Sequence, residues 1–343
     1  MKKSKGNRKE WCLKRTRKEA EFQTVKHYHE GERKLPAEWL CKVVGVSKSG
    51  YYKWLGNKDD SFEKENETLA EHINEFHDVF NHILGYRRMT EWINYFCQTN
   101  YTYSRVRKVM GILNIHSCIR RKKKKYKGSA PEAVADNKLK RRFHVTAPNQ
   151  VWCTDVTEFK YKGKKLYLSA IIDLYDRSIV AYVISDRNDS KLVFDTFNQA
   201  RDLYPDAAPM FHSDRGFQYT MKAFQNRLKD AGMEQSMSRV GCCIDNGPCE
   251  GFWGIIKSEM YHNPAFKESK ATRGALIKAI EEYIDFYNYV RPQGRFGMKA
   301  PMAVRNDALH ADNPADYPIA YNKKVANYWA DIHAKQMMSA MIN

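Results

Sequence analysis

Three acidic residues have the spacing and context to do chemistry together. They are Asp155 in WCTDVTEF, Asp214 in HSDRGFQY and Glu250 in DNGPCEGFWGIIKSE, with 35 residues between the last two. Each falls in a different setting, mid-strand, strand end and helix start, so only a folded domain can assemble them. Carboxylates a few ångströms apart repel by about 4 kcal/mol per pair at an effective dielectric near 20, a cost that cations bound between them remove. Oxygen donors of this kind favour Mg²⁺ or Mn²⁺. Two such ions about 3.5–4 Å apart can activate an attacking oxygen and neutralise a leaving one, which is what phosphodiester exchange requires. Asp155 would bridge them, with Asp214 on one side and Glu250 on the other. Asp173, in a strand neighbouring Asp155, and Asp245, just before the glutamate's helix, are rival acids.

The elements that must position the triad are legible in the periodicity. VWCTDVTEFKY alternates with period two and places Val151, Cys153 and Asp155 on one strand face. Gly163 marks a turn into KLYLSAIIDLY, residues 165–175, apolar enough for a central strand, and Asp176 to Ser178 turn the chain into IVAYVIS. A helix is predicted near 190–203 from Val193, Phe197, Ala200 and Tyr204. PMFHSD then delivers Asp214 at the carboxyl end of a short strand. A helix, a strand near 234–238 and two longer helices complete an α/β (α+β) pattern. The order βββ-αβ-αβ-α is that of a ribonuclease-H-like domain with a mixed five-stranded sheet and flanking helices. Pro248 suits a first helical position, so Glu250 sits in the first turn, where the helix dipole favours a negative charge. On a straight helix Lys257, about 10.5 Å further on, is nearly eclipsed with Glu250, whereas Glu259 is rotated by about half a turn.

Upstream, the chain is helical and basic. Residues 1–146 hold 33 Lys and Arg against 17 Asp and Glu, and residues 147–343 hold 25 against 23, so nearly all of the net +18 precedes the triad. A positive half that grips a polyanion and a near-neutral half that processes it imply a nucleic-acid partner. LPAEWLCKVVGVSKSGYYKW reads as a helix, a turn at Gly45 and a second helix capped by Ser47 or Ser49, a helix-turn-helix pattern. Leu69, Ile73, Phe76 and Phe80 form one face of a further helix. TYSRVRKVMGIL, with Ser104 as cap, offers Arg105, Arg107 and Lys108 to phosphates or base edges in a second such unit. RRKKKKYK, including Arg120, Arg121, Lys122 and Lys123, reads as a linker tracking a DNA backbone. The scheme is thus 1–60, 61–119, a linker 120–146, a catalytic domain 147–305 and an unassigned tail 306–343.

The eight cysteines form no CxxC pair and no zinc-spaced Cys/His set, which argues against thiolate metal binding. No secretory segment or membrane-length apolar run appears, so a cytoplasmic location is expected.

VWCTDVTEF, HSDRGFQY, SMSRVGCCIDNGPCEGFWGIIKSE and YNYVRPQGRFGMKAPMAV, in that order, resemble the insertion-sequence transposases of the retroviral-integrase (DDE) type, more narrowly the second-reading-frame product of insertion sequence family three. GVSKSGYYKW and HILGYRRM extend the resemblance over most of residues 35–305. It implies Asp155, Asp214 and Glu250 as catalytic metal ligands for two Mg²⁺ ions, with Mn²⁺ able to substitute, and Lys257 as a contact to the transposon end. His212 and Asn246 would shape the site. Gln293 stands where many relatives have His, and Gly251 where Ser is common; neither removes a ligand. The activity implied is metal-dependent cleavage at transposon ends and 3′-OH strand transfer on double-stranded DNA, by a bacterial, nucleoid-associated homo-oligomer. An upstream helix-turn-helix partner, separate or fused by frameshift, would share end recognition. Two other functions fit the residues: a DNA-binding regulator with an inactive ribonuclease-H-like domain, and a metal-dependent nuclease without strand transfer.

Overall fold

The structure, a computed structural model, describes residues 17–31, 34–56, 60–119, 145–238 and 246–313. It divides into two compact units near residue 120. Among the described residues no helix is long and apolar enough to cross a membrane.

The first unit is all helical. Helices α1 (Arg17–Glu30), α2 (Ala37–Val44) and α3 (Lys48–Gly56) enclose Val25, Leu40, Cys41 and Tyr51. Gly45, at φ +80°, makes the αL turn between α2 and α3 that a side chain would strain, and its N–H closes α2 on the Cys41 carbonyl. Of the two candidate caps for α3 it is Ser47 whose Oγ accepts the Gly50 N–H, at 3.1 Å. Helices α4 (Asp60–Val79), α5 (Tyr86–Phe96) and α6 (Tyr103–Ile112) follow, with Leu69, Ile73, Trp92, Ile93 and Val106 buried. The expected cap of α6 was Ser104; the structure uses Thr102, whose hydroxyl accepts the Arg105 N–H, because the helix starts two residues earlier than a Ser104 cap would set.

The second unit is built on a five-stranded mixed sheet of order β3-β2-β1-β4-β5, formed by β1 (Val151–Tyr161), β2 (Lys164–Asp173), β3 (Ile179–Ser185), β4 (Met210–Ser213) and β5 (Gln235–Met237). The first three strands are antiparallel; β4 and β5 add in parallel. Lys162 and Gly163, both at positive φ, form a two-residue hairpin that fixes the Tyr161–Lys164 register, the turn geometry that matches strand twist. Period two then decides which side of the sheet each residue meets. Val151, Cys153 and Phe159 of β1, with Leu166, Leu168, Ala170 and Ile172 of β2, pack against α10 (Gly247–Ile256) and α11 (Arg273–Asp285). Trp152, Ile171 and Phe211 pack on the other face against α7 (Ser190–Leu203), the one-turn α8 (Phe217–Thr220) and α9 (Lys222–Asp230). Each fully buried apolar side chain of this kind contributes about 1.5–3 kcal/mol. The cap of α7 is Asp189, which accepts the Leu192 N–H.

Two buried ion clusters lock the periphery. Arg305, on α12 (Pro301–Leu309), is fully buried and reaches Asp173 at 3.0 Å, Asp176 at 2.8 Å, the Tyr204 hydroxyl at 3.1 Å and Asn149. The helix runs to Leu309. After Ile256 the chain widens into a π-turn, Lys257–Tyr261, which turns Glu259 inward to a bidentate pair with Arg291, at 2.9 and 2.8 Å, and to the Tyr283 hydroxyl at 2.9 Å. Asn288 accepts the Ile179 N–H and donates to its carbonyl, clamping the end of α11 to β3.

Candidate active site

Asp155 sits in the middle of β1, opposite Ala170 of β2, on the face that meets α10. Asp214 is the first residue beyond β4, which pairs with β1 through Val151, Trp152 and Cys153. Glu250 stands in the first turn of α10, after Pro248, with Asn246 at the cap position. Glu250 is exposed, whereas Asp155 and Asp214 are half-buried. Three motifs far apart in sequence therefore arrive at one end of the β1–β4 pair.

The electrostatics follow from that convergence. Burial first, then the charge of Asp214 and more weakly that of Glu250, push the Asp155 carboxyl up to about 7, against the pull of two hydrogen bonds. Burial also raises Asp214. No group of three His, Cys, Asp or Glu side chains is drawn to ligand distance among the described residues. The donor set, carboxylates alone with no thiolate or imidazole among the three, fits a hard divalent cation.

Local structure fixes two of the carboxylates. Asp155 Oδ1 accepts the Val156 N–H at 2.7 Å, and its Oδ2 accepts the Trp253 indole N–H at 2.9 Å. Asp214 Oδ1 accepts the Gly216 N–H at 2.9 Å; a Cβ at position 216 would stand 3.0 Å from that same oxygen, so the glycine lets the backbone approach the carboxylate. Behind them, Tyr219 is buried with its hydroxyl 3.3 Å from Thr154 Oγ1.

The remaining expectations divide. Asn246 is buried and donates to the Thr154 carbonyl at 3.1 Å, tying the start of α10 to the residue before Asp155. His212 is fully buried between Ser236, at 2.9 Å, and Ser238, at 3.2 Å; it joins β4 to the β5 edge. Lys257 places its Nζ 5.6 Å from the Phe159 ring and acts electrostatically on Glu158, so it flanks the triad along β1. Phe159 lies four positions beyond Asp155 on the strand, about 13 Å away. The rival acid Asp173 is fully buried on Arg305. Asp245 lies outside the described residues.

The residues expected to contact nucleic acid lie in different settings. Arg105 is folded back on α4, with Nη1 2.8 Å from Glu65, Nε 2.9 Å from Asn66 and its guanidinium over the Tyr101 ring, so it braces the helices. Arg107 and Lys108 are exposed, and Arg107 lies over the Tyr86 ring that Arg87 also covers. Arg120, Arg121, Lys122 and Lys123 fall outside the described residues.

Sequence reasoning missed Trp253, Gly216 and Arg305. The signal for Trp253 was present: three residues after Glu250 places it on the same helix face.

Residues 145–243 and 250–309 each match an integrase core domain, and residues 64–124 match an HTH-like domain. The chain is 34% identical over 275 residues to the putative transposase InsK for insertion sequence element IS150 of Escherichia coli K12, covering 79% of this chain and 94% of that one. It is 26% identical over 264 residues to the transposase InsF for insertion sequence IS3A of the same organism, covering 74% and 88%. Among solved structures, the catalytic core domain of HTLV-2 integrase in complex with magnesium matches with a TM-score of 0.38 and 21% identity, over 46% of this chain and 96% of that one. The chain belongs to the insertion-sequence transposases with an integrase core, the group that includes the IS150 and IS3 proteins.

Proposed function

We propose that the chain cleaves DNA strands at transposon ends and joins the freed 3′-OH to target DNA, with Asp155, Asp214 and Glu250 as the catalytic ligands of two divalent ions. The observation that carries this reading is the convergence of a mid-strand, a strand-end and a helix-start acid, such that Asp155 feels the other two as negative charge. Mg²⁺, or Mn²⁺ in its place, would supply activation of the attacking oxygen and neutralisation of the leaving one. The chain's own part is positional. Val156 and Trp253 hold Asp155, Gly216 holds Asp214, and the first turn of α10 presents Glu250 outward, where the helix dipole favours its charge. Water in the attacking position gives cleavage; a strand 3′-OH in the same position gives transfer. Neither step calls for a protein–DNA covalent bond.

DNA is held, on this reading, by the helical unit through Arg107 and Lys108, by the basic run that begins at Arg120, and by Lys257 beside the catalytic face. The five-part division of the chain, the action as a homo-oligomer on nucleoid DNA and the upstream helix-turn-helix partner belong to the same proposal. The test is cleavage of a labelled duplex bearing the element's own ends. Nicking at the 3′ end should require Mg²⁺ or Mn²⁺ and vanish in Asp214→Asn. End binding without any metal-dependent cut, with the upstream partner present, would favour a regulator instead.

A further inference from the structure

The helix that carries Glu250 is tied to β1 at two points bracketing the triad. Asn246, four residues before the glutamate, donates to the Thr154 carbonyl at 3.1 Å. Trp253, three residues after it, donates its indole N–H to Asp155 Oδ2 at 2.9 Å. The two residues therefore span adjacent positions of β1, and the second bond ends on one of the acids themselves.

We infer that Trp253 is a positioning residue for metal binding: its indole N–H fixes the orientation of the Asp155 carboxylate and couples it to the α10 turn that presents Glu250. The ring itself is nearly buried, packed with Phe252 and the β1–β2 face of the core, so it is held independently of the carboxylate. An indole has one donor and no acceptor, so it offers no lone pair to ligate a metal ion. Its bond occupies one lone pair of Oδ2, and the Val156 N–H occupies one of Oδ1, which leaves each oxygen a lone pair for a cation. Fixing the carboxylate before the metal arrives removes rotational freedom that would otherwise be lost on binding. Partners of this kind, standing behind a ligand, change metal affinity or activity by roughly 10–100-fold when removed. Glu250 gains as well. Its helix face is set by the same indole, because residues three apart on a helix share a side.

This inference rests on the triad as the metal site, and its test separates the two. Mn²⁺ binding to the full chain is followed by electron paramagnetic resonance for wild type, Trp253→Phe and Asp155→Asn. A fourth protein carries benzothienylalanine at 253, which keeps the ring shape and replaces the N–H by sulfur, in case phenylalanine disturbs the core. In parallel, the indole N–H signal assigned to residue 253, by its loss in Trp253→Phe, is followed during Mg²⁺ titration. The expected result is Mn²⁺ affinity at least tenfold weaker in both ring variants, with melting temperature near wild type for the sulfur analogue, and a Mg²⁺-dependent shift of that one indole signal. Wild-type affinity in the folded sulfur analogue overturns the inference and leaves the triad standing. Wild-type binding that Asp155→Asn does not weaken overturns the triad reading and this one together.

Discussion

The catalytic unit contains two kinds of acid cluster, and they differ in what faces the charge. Asp173 and Asp176 meet the guanidinium of Arg305, and Glu259 meets that of Arg291. Asp155 meets the negative charges of Asp214 and Glu250. The first kind carries its cation in the sequence and closes the fold around it; the second, on the function proposed above, takes its cation from solution. Burial alone does not separate structural from functional acids in this protein, since Asp173 is the more buried of the rivals on neighbouring strands. The guanidinium does: Arg305 pairs with both Asp173 and Asp176 and opposes their mutual repulsion, whereas the charges acting on Asp155 are those of Asp214 and Glu250.

Breaking either kind should therefore give opposite signatures. The largest effect is expected from Asp155→Asn: strand cleavage falls by at least about 10³-fold, the scale on which transition-state charge stabilisation is lost, while end binding in a gel-shift assay is retained. Arg305→Met should do the reverse. It strands Asp173 and Asp176 in the core and costs about 3–5 kcal/mol of stability, read by urea denaturation. Glu259→Gln leaves Arg291 buried with a neutral partner and should destabilise in the same way by a smaller amount, with activity per folded molecule preserved.

A pH experiment sharpens the contrast. The Asp155 carboxyl is raised to about 7 in the folded chain, above its unfolded value near 3.9. Its contribution to stability is then complete below about pH 4 and is lost as pH rises toward and through 7. Without metal, the catalytic unit should lose stability at this site between about pH 4 and 7. Because the ionised carboxylate is also the form that binds a cation, the gain in melting temperature on adding Mg²⁺ should be larger at pH 8 than at pH 6. An equal gain at both values, or none, would contradict the assignment. The smallest effect separates two neighbouring arginines. Arg107→Ala should weaken DNA binding with little change in stability, whereas Arg105→Ala should cost about 1 kcal/mol of stability and change binding less.

Much of this was readable in the chain. The first three strands follow from alternation and from turns at Gly163 and at Asp176 to Ser178, and they lie within a residue or two of their expected bounds, because a half-buried sheet penalises any slip in register. The settings of the three acids were readable because each sits in a motif with its own local reason, a strand centre, a strand end, a helix start after proline. What escaped was tertiary. Nothing in the local pattern of YSRVRK marks Arg105 as a brace, since its partners Glu65 and Asn66 lie about 40 residues earlier. The pairing of Arg305 with Asp173 spans 132 residues. Glu259 was rightly separated from the triad by helix phase, but its role as a buried ion partner depends on the π-turn, which periodicity does not announce.

The central claim is that Glu250 completes a metal-dependent strand-transfer centre. It is tested most directly by incubating labelled transposon-end DNA and a target duplex with Mg²⁺ and wild type, Glu250→Gln or Glu282→Gln, an exposed acid of α11. The account predicts joined products with wild type and Glu282→Gln, and none with Glu250→Gln, which should still bind the ends. Joining by Glu250→Gln at the wild-type rate would contradict it.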